Sequence, residues 1–206
     1  MKLVLASSNA GKLEELRALF SDTGIELLAQ TTFGIADAEE TGATFIENAL
    51  LKARHAARLT GLPALGDDSG LCVEAVGGEP GLLSARYAGK HGDSAANIAK
   101  LLEALSGTKS SARTAHFHCA IVLLQSADDP APLIAEGRWY GRILEAPRGQ
   151  MGFGYDPVFF DPESGLSAGE MDGELKNRIS HRGRALAALR LGMPIPAPIR
   201  AGDRPR

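Results

Sequence analysis

The chain has 206 residues and is 44% hydrophobic, which is enough to bury the core of a globular protein. Its net charge of -3 argues against a nucleic-acid scaffold, and no stretch approaches the roughly 20 apolar residues of a membrane span. Met1 opens a short apolar run without the basic segment of a signal peptide, and Cys72 and Cys119 fit buried thiols in a reducing compartment. We therefore expect a cytoplasmic protein without a nucleic-acid or membrane partner.

A polar loop joins the first predicted strand, residues 2–6, to the first predicted helix. Glu14 and Glu15 suit the positive end of the helix dipole, and free backbone N–H groups at such a helix start bind phosphate readily. The loop is not a Walker A sequence, because Leu13 stands where a Ser or Thr would hold Mg²⁺. It forms either a phosphate cradle or a capped turn, with these residues: Ser7, Ser8, Asn9, Ala10, Gly11 and Lys12.

A second helix is predicted from the spacing of apolar residues after Thr44. Thr44 and Glu47 fit a capping box at its start. Asn48 and Lys52 are four residues apart, so they share one face of this helix. That face is either simply solvated or turned toward the acidic segment at residues 67–68, with a ligand between them.

Two adjacent carboxylates, Asp67 and Asp68, lie between Gly66 and Gly70 and are flanked by apolar runs. Since Asp, Ser and Gly are ordinary turn residues, one interpretation is a solvated turn between two short strands. The other is a site for a hard cation such as Mg²⁺, with one carboxylate acting as general base for a metal-held water. The segment by itself leaves both interpretations open.

The best predicted strand, residues 113–124, forms a long hairpin with a strand from residue 133 to about residue 145. Long antiparallel strands that project from a core suggest a second lobe. His116 and His118 share one face of the first of these strands. Without a third ligand nearby, a partly exposed sheet face is favoured over a metal site.

A glycine-rich segment with two aromatic residues follows at residues 149–160. Phe153 or Tyr155 can lie flat against a nucleobase there, and Asp156 can accept hydrogen bonds from base N–H groups. A Gly-rich turn into a core strand explains the same pattern equally well.

The last predicted elements carry a cluster of cations. Lys176 lies on a short helical turn, and Ser180 caps a final helix that begins with His181 and Arg182. Cations at a helix N-terminus oppose its dipole, which indicates an anion or acceptor bound there. The remaining residues, about 193–206, form a Pro-rich tail that we expect to be disordered or loosely draped.

Taken in order, these segments resemble the inosine/xanthosine triphosphate pyrophosphatase family, hydrolases of non-canonical purine nucleoside triphosphates. The resemblance extends from Leu3 to about Leu191. It rests on Ser-Asn-Ala-Gly-Lys at 8–12, Thr-Phe-Ile-Glu-Asn-Ala at 44–49, Lys52, Asp-Asp-Ser-Gly-Leu at 67–71, Pro-Gly-Leu-Leu-Ser-Ala-Arg-Tyr at 80–87, Gly-Phe-Gly-Tyr-Asp-Pro at 152–157 and Ser-His-Arg-Gly-Arg-Ala at 180–185. Several motifs in the right order are more specific than any one of them, so the functional interpretation of each is preferred.

The resemblance implies an elongated two-lobed α/β fold in one domain, with a long mixed central sheet flanked by helices and the active site between the lobes. It implies a homodimer and a Mg²⁺-dependent reaction in which ITP, dITP or XTP and water yield the nucleoside monophosphate and pyrophosphate. This reaction removes such nucleotides before they enter DNA or RNA.

The resemblance also assigns roles to residues. Asp68 would bind Mg²⁺ and accept the proton of the attacking water, and Glu40 would be a second metal ligand, although Glu39 beside it leaves that register open. The substrate contacts would be Ser7, Ser8, Asn9, Ala10, Gly11, Lys12, Lys52, Ser69, Phe153, Gly154, Tyr155, Asp156, Lys176, His181 and Arg182. Members of the family usually carry Thr and Gly at positions 7 and 8, and commonly Gly at position 151. Since Ser7 keeps the hydroxyl, we expect no loss of activity.

The chemistry of the purine edge predicts the selectivity. Donors from His181 or Arg182 suit the 6-keto group of hypoxanthine and xanthine and leave the amino group of adenine unmatched, which can discriminate by as much as ~10⁴-fold. Two rival functions are a septum-inhibitor-type nucleotide pyrophosphatase that tolerates pyrimidines and a non-catalytic nucleotide sensor. The motifs at 152–157 and 180–185 argue against the first, and the intact Asp67, Asp68 and Lys52 argue against the second, because a sensor has no need of a base.

Overall fold

Within residues 1–193, which the computed structural model describes, the chain forms seven strands and five α-helices. The strands are β1 (Lys2–Leu5), β2 (Glu26–Ala29), β3 (Ala64–Val73), β4 (Thr114–Leu124), β5 (Leu133–Ile143), β6 (Phe159–Asp161) and β7 (Leu166–Ser167). The helices are α1 (Ala10–Phe20), α2 (Phe45–Thr60), α3 (Ser94–Ala104), α4 (Gly173–Ile179) and α5 (His181–Gly192). Apart from Met193, the predicted Pro-rich tail lies outside the described residues.

All seven strands belong to one mixed sheet in the order β2-β1-β3-β4-β5-β6-β7. Strand β1 runs parallel to β2 and β3, and the other neighbouring pairs are antiparallel. The predicted long hairpin is confirmed as β4 and β5, which pair from Thr114 opposite Arg142 to Leu123 opposite Leu133. The predicted α/β fold, with a long mixed sheet flanked by helices, is therefore confirmed.

Four hydrophobic clusters lie along this sheet in the part of the chain that the structure describes, and the two largest lie in different lobes. The first packs α1 and α5 against the sheet and includes Leu16 and Leu186. The second gathers around Trp139 and includes Leu101 of α3. Because β3 contributes Leu65 to the first core and Leu71 to the second, the long strands run through both lobes. Helix α2 covers the opposite face of the sheet with a row of alanines.

The acidic segment lies inside a strand, so the interpretation as a turn between two short strands is wrong. Strand β3 passes without a break through Asp67 and Asp68, which are paired with β4. The flanking glycines permit close packing instead. A Cβ at Gly66 would come within 2.0 Å of the Ala49 carbonyl oxygen of α2, and one at Gly70 within 2.3 Å of another backbone carbonyl. Helix α2 can therefore lie directly against the strand.

A gap opens beside β3 where β1 ends. The two strands pair through Val4 and Leu5 of β1, and on that side of β3 the next β-bridge is the one between Cys72 and Pro80. Successive side chains of a strand point to opposite faces, so Asp67 faces α5 while Asp68 faces α2. Ligands of open α/β sheets bind beyond the carboxyl ends of parallel strands, which is where this gap lies.

Candidate active site

The gap beside β3 is the mouth of a cavity of about 660 Å³, within the range of about 300–1,000 Å³ that is typical of ligand pockets. The predicted site residues that line it are Ser7, Ser8, Asn9, Lys12, Glu40, Lys52, Asp68, Ser69, Phe153, Gly154, Tyr155, Asp156, Lys176, His181 and Arg182. Ala10 and Gly11 are outside this lining. Gly11 instead leaves room for an aromatic ring, because a Cβ there would lie 2.6 Å from Cδ1 of Phe153.

The loop at residues 7–12 is partly closed by its own hydrogen bonds. Asn9 caps α1, and its Oδ1 accepts from the Lys12 amide at 3.1 Å. The Asn9 amide donates to Ser7 Oγ at 3.1 Å, and the Ser8 amide donates to Asp37 Oδ1 at 3.0 Å. The hydroxyl of Ser8 binds the same Asp37 carboxylate. Three amides of the predicted phosphate cradle, those of Ser8, Asn9 and Lys12, therefore donate to side chains of the protein itself, and the contact with Asp37 was not predicted.

Glu15 has a different role from the one that the sequence suggested. Helix α1 begins at Ala10, so Glu14 and Glu15 lie beyond its first turn, and the interpretation as dipole partners is wrong. The Glu15 carboxylate instead lies 2.7 Å from Lys176 Nζ and pairs with Arg182. Burial raises the pKa of Glu15, but the charges of Arg182 and Lys176 outweigh it and lower the pKa overall. Helix α1 is thereby linked to α4 and α5 across the cleft.

On the α2 side of β3, one lysine bridges two carboxylates. Lys52 Nζ lies 2.7 Å from Asp68 Oδ1 and 2.5 Å from Glu40 Oε1. The other oxygen of Glu40 accepts from Arg86 Nη1 at 2.6 Å. Asn48, which the sequence placed beside Lys52 on a possible ligand face, is buried and accepts from the Gly42 amide, so it supports the loop that carries Glu40.

Burial and charge give the two carboxylates different pKa values. For Asp68, burial raises the pKa above its usual range, and the opposing charges of Lys52 and Lys12 do not cancel this effect. For Glu40, burial also raises the pKa, but hydrogen bonds from Lys52 and Arg86 outweigh it and leave the pKa at about 2. Glu40 is therefore a permanent anion near neutral pH, while Asp68 is the more basic of the two.

The two carboxylates fit a hard cation. Both reach the same ammonium group, so their oxygens already converge on one positive charge. No group of three or more His, Cys, Asp or Glu side chains within residues 1–193 is arranged to hold a metal ion. Mg²⁺ needs no such cage, because it is commonly bound by one or two carboxylates together with water and substrate phosphates.

The segment at residues 152–156 places one aromatic ring in the cleft. Phe153 is half-buried against Gly11, and Lys176 Nζ lies 4.9 Å from the centre of its ring. Tyr155 is buried, and its hydroxyl donates to the Ser84 carbonyl at 2.9 Å, so it supports the wall. Asp156 accepts from the Phe153 amide at 2.7 Å and from Lys176 at 2.5 Å. Phe153 is thus the aromatic residue placed to stack on a base.

The start of α5 lies deep in the cleft, where Ser180 caps the helix as predicted. The His181 ring stacks on Phe117 at 4.7 Å, and its Nδ1 is buried without a hydrogen-bond partner among the described residues. Burial, reinforced by the charge of Arg182, holds the pKa of His181 well below its ordinary value, so the ring is neutral. Arg182 is fully buried, and its bonds to Asp67, Glu15 and Ser69 use four of its five N–H groups.

Among the residues without a predicted role in the site, Glu15, Asp37 and Arg86 form ion pairs or hydrogen bonds with predicted site residues. Arg86 lay in a recognised motif without an assigned role, Glu15 was assigned to the dipole of its own helix, and Asp37 had no distinguishing local pattern. Of the histidine pair of β4, predicted to lie on a partly exposed sheet face, His116 is half-buried and His118 is buried. His118 Nε2 lies 2.9 Å from Glu136 and its ring stacks on Phe45, while His116 packs against Tyr140.

The mixed sheet and the charged cleft define an α/β protein of two lobes, and comparisons with known proteins identify its family. The profile of the Ham1 family matches residues 3–191. The chain is 62% identical over 187 residues to the dITP/XTP pyrophosphatase of Xanthomonas campestris pv. campestris (strain 8004), covering 91% of this chain and 94% of the relative. It is 55% identical over 188 residues to the dITP/XTP pyrophosphatase of Shigella flexneri, covering 91% of this chain and 95% of that relative.

Solved structures agree with this result. The structure of a HAM1 protein from Coxiella burnetii matches with a TM-score of 0.84 at 52% identity, covering 93% of this chain and 98% of that chain. The Ham1 protein of Staphylococcus aureus matches with a TM-score of 0.80 at 37% identity, covering 93% of this chain and 97% of that chain. The chain belongs to the Ham1 family.

Proposed function

We propose that the protein is a Mg²⁺-dependent pyrophosphatase that hydrolyses ITP, dITP and XTP to the nucleoside monophosphate and pyrophosphate. The observation that carries the proposal is the position of Asp68, whose raised pKa suits a base, in one cavity with the loop at residues 7–12 and with Phe153. The names of the Xanthomonas and Shigella relatives support the reaction and the substrate class. Such an activity keeps non-canonical purines out of DNA and RNA.

In the proposed reaction, water attacks the α-phosphorus and the bond from that phosphorus to the bridging oxygen of the β-phosphate breaks. Asp68 accepts the proton of the water, and the bond's electron pair leaves with pyrophosphate. Lys12 and Lys52, each with a side chain 12% exposed, face the cavity and offset the charge of the leaving group. The chain therefore supplies mainly position and charge, which is what phosphoryl transfer requires.

Asp68 and Glu40 are the residues that would hold Mg²⁺. When bound, the ion would neutralise phosphate charge and make its coordinated water more acidic. Lys52 lies between the same two carboxylates, and Arg86 is the second cation on Glu40. We assign to these two cations the task of keeping both carboxylates ionised and in place.

Purine selectivity is assigned to the side of the cleft formed by Phe153, Lys176, His181 and Arg182, here called the purine side. Phe153 would stack on any purine, since stacking does not depend on the base edge. The neutral His181 carries one donor and one acceptor, and it is buried with Nδ1 uncommitted among the described residues, so it suits a 6-keto group. Arg182 has one N–H group left after its protein contacts.

We also propose a single-domain protein that acts as a homodimer in the cytoplasm. The outer face of β5 supports a dimer, because it leaves Ile134 and Tyr140 exposed at 42% and 58%. The two free cysteines support a reducing compartment. Among residues 1–193, no helix combines the length and the apolar character that crossing a membrane requires. A solution mass of twice the 21.6 kDa chain would support the dimer, and a mass of one chain would contradict it.

The first experiment is pyrophosphate release with Mg²⁺ from ITP, dITP, XTP, GTP, ATP and CTP. Rapid release from the first three, and little from the others, is the expected result. Equal turnover of all six would contradict the role of His181 in reading the base edge. Turnover that favours CTP would indicate the pyrimidine-tolerant alternative, and binding without turnover would indicate a sensor.

A further inference from the structure

One buried carboxylate, that of Asp67, holds a cation from the phosphate loop and a cation from the purine side. Asp67 is 0% exposed, and its Oδ1 lies 2.6 Å from Lys12 Nζ. Its Oδ2 accepts from Arg182 Nε at 2.7 Å. The Asp67 carbonyl oxygen lies a further 3.3 Å from Lys12 Nζ, so the lysine is held by both the side chain and the backbone.

Ser69, another proposed substrate contact, belongs to the same network. Its hydroxyl donates to Asp67 Oδ1 at 3.1 Å and lies 3.0 Å from Arg182 Nη2. Lys12, Ser69 and Arg182 line the cavity, whereas Asp67 is not among the described residues that line it. Asp67 can therefore act only through its partners, as a positioning residue.

The second lysine of the cleft lies outside this network. Within residues 1–193, the ion pairs of Lys52 are with Glu40 and Asp68, on the other face of β3. Lys12 and Lys52 thus both line the cavity and are equally exposed, but only Lys12 contacts Asp67. This difference makes the two lysines a matched pair for a test.

We propose that Asp67 couples the two ends of the nucleotide site, so that an anion bound at Lys12 strengthens the binding of the purine nucleoside. The inference rests on the proposed function and adds how its two subsites communicate. An anion at the phosphate loop attracts the Lys12 ammonium group away from Asp67. The carboxylate, until then shared between two cations, then attracts Arg182 more strongly, because no second cation competes for its oxygens. Arg182 is held more firmly at the purine side, and by reciprocity a bound nucleoside strengthens anion binding by the same factor.

The test measures the Kd of inosine for the full chain with Mg²⁺, with and without saturating pyrophosphate. For the wild type we expect inosine to bind about 5-fold tighter or more with pyrophosphate, at the lower end of typical couplings between sites. Lys12→Met is expected to reduce this ratio to less than about 2-fold, whereas Lys52→Met keeps it, since Lys52 pairs with Glu40 and Asp68 rather than with Asp67. Pyrophosphate is used at a concentration that saturates each variant.

Asp67→Asn removes the charge itself and is expected to abolish the coupling as well. Its matched control is Asp161→Asn, because Asp161 is also buried and accepts from Trp139 Nε1 at 3.1 Å, in the other lobe. This control is expected to lose stability but keep the coupling. If Asp67→Asn does not fold, the two lysine variants still decide the question.

Three results would overturn the inference: no coupling in the wild type, coupling retained in Lys12→Met, or coupling lost in Lys52→Met too. Turnover of ITP by the wild type is measured in the same preparation. A wild type that releases pyrophosphate from ITP but shows no coupling would refute only this inference. A wild type that does not turn over ITP would refute the proposed function itself.

Discussion

The ammonium group of Lys52 on α2 lies 2.7 Å from the carboxylate of Asp68 on β3. The same group lies 2.5 Å from Glu40, and burial of Lys52 is offset by these two charges, which raise its pKa above the usual value. Burial is the largest single effect on the pKa of Lys52 and lowers it, but the two carboxylates together raise this pKa by more. Lys52 therefore stays charged, and it keeps one partner if the other is neutralised.

This relationship predicts the behaviour of Asp68→Asn. Lys52 would retain Glu40 as a partner, so the fold is expected to survive, while the loss of the proton acceptor should reduce turnover of ITP by at least about 10²-fold, as for loss of a general base. Pyrophosphate release gives the rate, and thermal unfolding confirms that the variant is folded. Near-normal hydrolysis by a folded Asp68→Asn would remove Asp68 as the base.

Phe153→Ala is expected to raise KM for every purine triphosphate and to change kcat little. Stacking of a base on an aromatic ring contributes about 1–3 kcal/mol, so the increase should be roughly 5- to 150-fold. Steady-state kinetics with ITP, XTP and GTP measure it. Phe160→Ala is a suitable control, because Phe160 packs against Arg142 and does not line the cleft. An effect confined to one base would contradict the stacking role.

Ser8→Gly is expected to increase the Mg²⁺ concentration needed for half-maximal activity. The Ser8 hydroxyl binds Asp37, three residues before the proposed ligand Glu40, and so fastens that loop to the phosphate loop. A net hydrogen bond contributes about 0.5–1.5 kcal/mol, which corresponds to an increase of roughly 2- to 13-fold. A Mg²⁺ titration of the rate measures it.

The control for this prediction is a double variant. Asp37→Asn is expected to have an effect similar to that of Ser8→Gly, and combining the two should add little, because both weaken the contact between the Ser8 hydroxyl and the Asp37 carboxylate, while the backbone amide of residue 8 can still donate to residue 37. Fully additive effects would show that Ser8 and Asp37 act separately. An unchanged Mg²⁺ requirement in both single variants would refute the link between the two loops.

His181 predicts a pH dependence of stability. Burial holds its folded-state pKa well below the value of 6.5 that an unfolded chain retains. Below that value the unfolded state binds a proton that the folded state excludes, so the free energy of unfolding falls as the pH falls. For one proton the slope is at most about 1.4 kcal/mol per pH unit. Denaturant unfolding between about pH 5.5 and about pH 7.5 measures it.

The matched variants are His181→Asn and His91→Asn. The first removes the buried titrating group and should flatten the slope, although burial also lowers the pKa of His116 and His118, so part of the slope remains. The second changes an exposed histidine and should keep the wild-type slope. Equal slopes in the two variants would contradict the assignment to His181.

Features that depend on residues within a few positions of each other were predictable from the sequence. Thr44 accepts from the Glu47 amide at the start of α2, and Ser180 accepts from the Gly183 amide at the start of α5. The β4–β5 hairpin followed from two long apolar runs separated by a short turn segment. In these cases the hydrogen-bond partner, or the period of the apolar residues, is contained in the segment itself.

The acidic segment shows where local pattern fails. Asp, Ser and Gly have turn-forming chemistry, yet Asp67 and Asp68 lie inside β3, because pairing with β4 and burial under α2 outweigh the local preference. Gly66 allows a close contact with Ala49 of α2, and Gly70 allows one with the Gly81 carbonyl, which no local pattern reveals. Glu15 was likewise assigned to its own helix, although its partners lie on α4 and α5.

By itself, the sequence determined the caps, the long strands, the family resemblance and most of the residues that line the cleft. Only the tertiary structure decided which of two adjacent aspartates faces Lys52 and which joins Lys12 to Arg182. It also decided that Glu15 meets Arg182, which is 167 residues away along the chain. The physical reason is that a buried charge must find an opposite charge nearby in space, and the order of strands in the sheet, rather than spacing along the chain, sets which charges are neighbours.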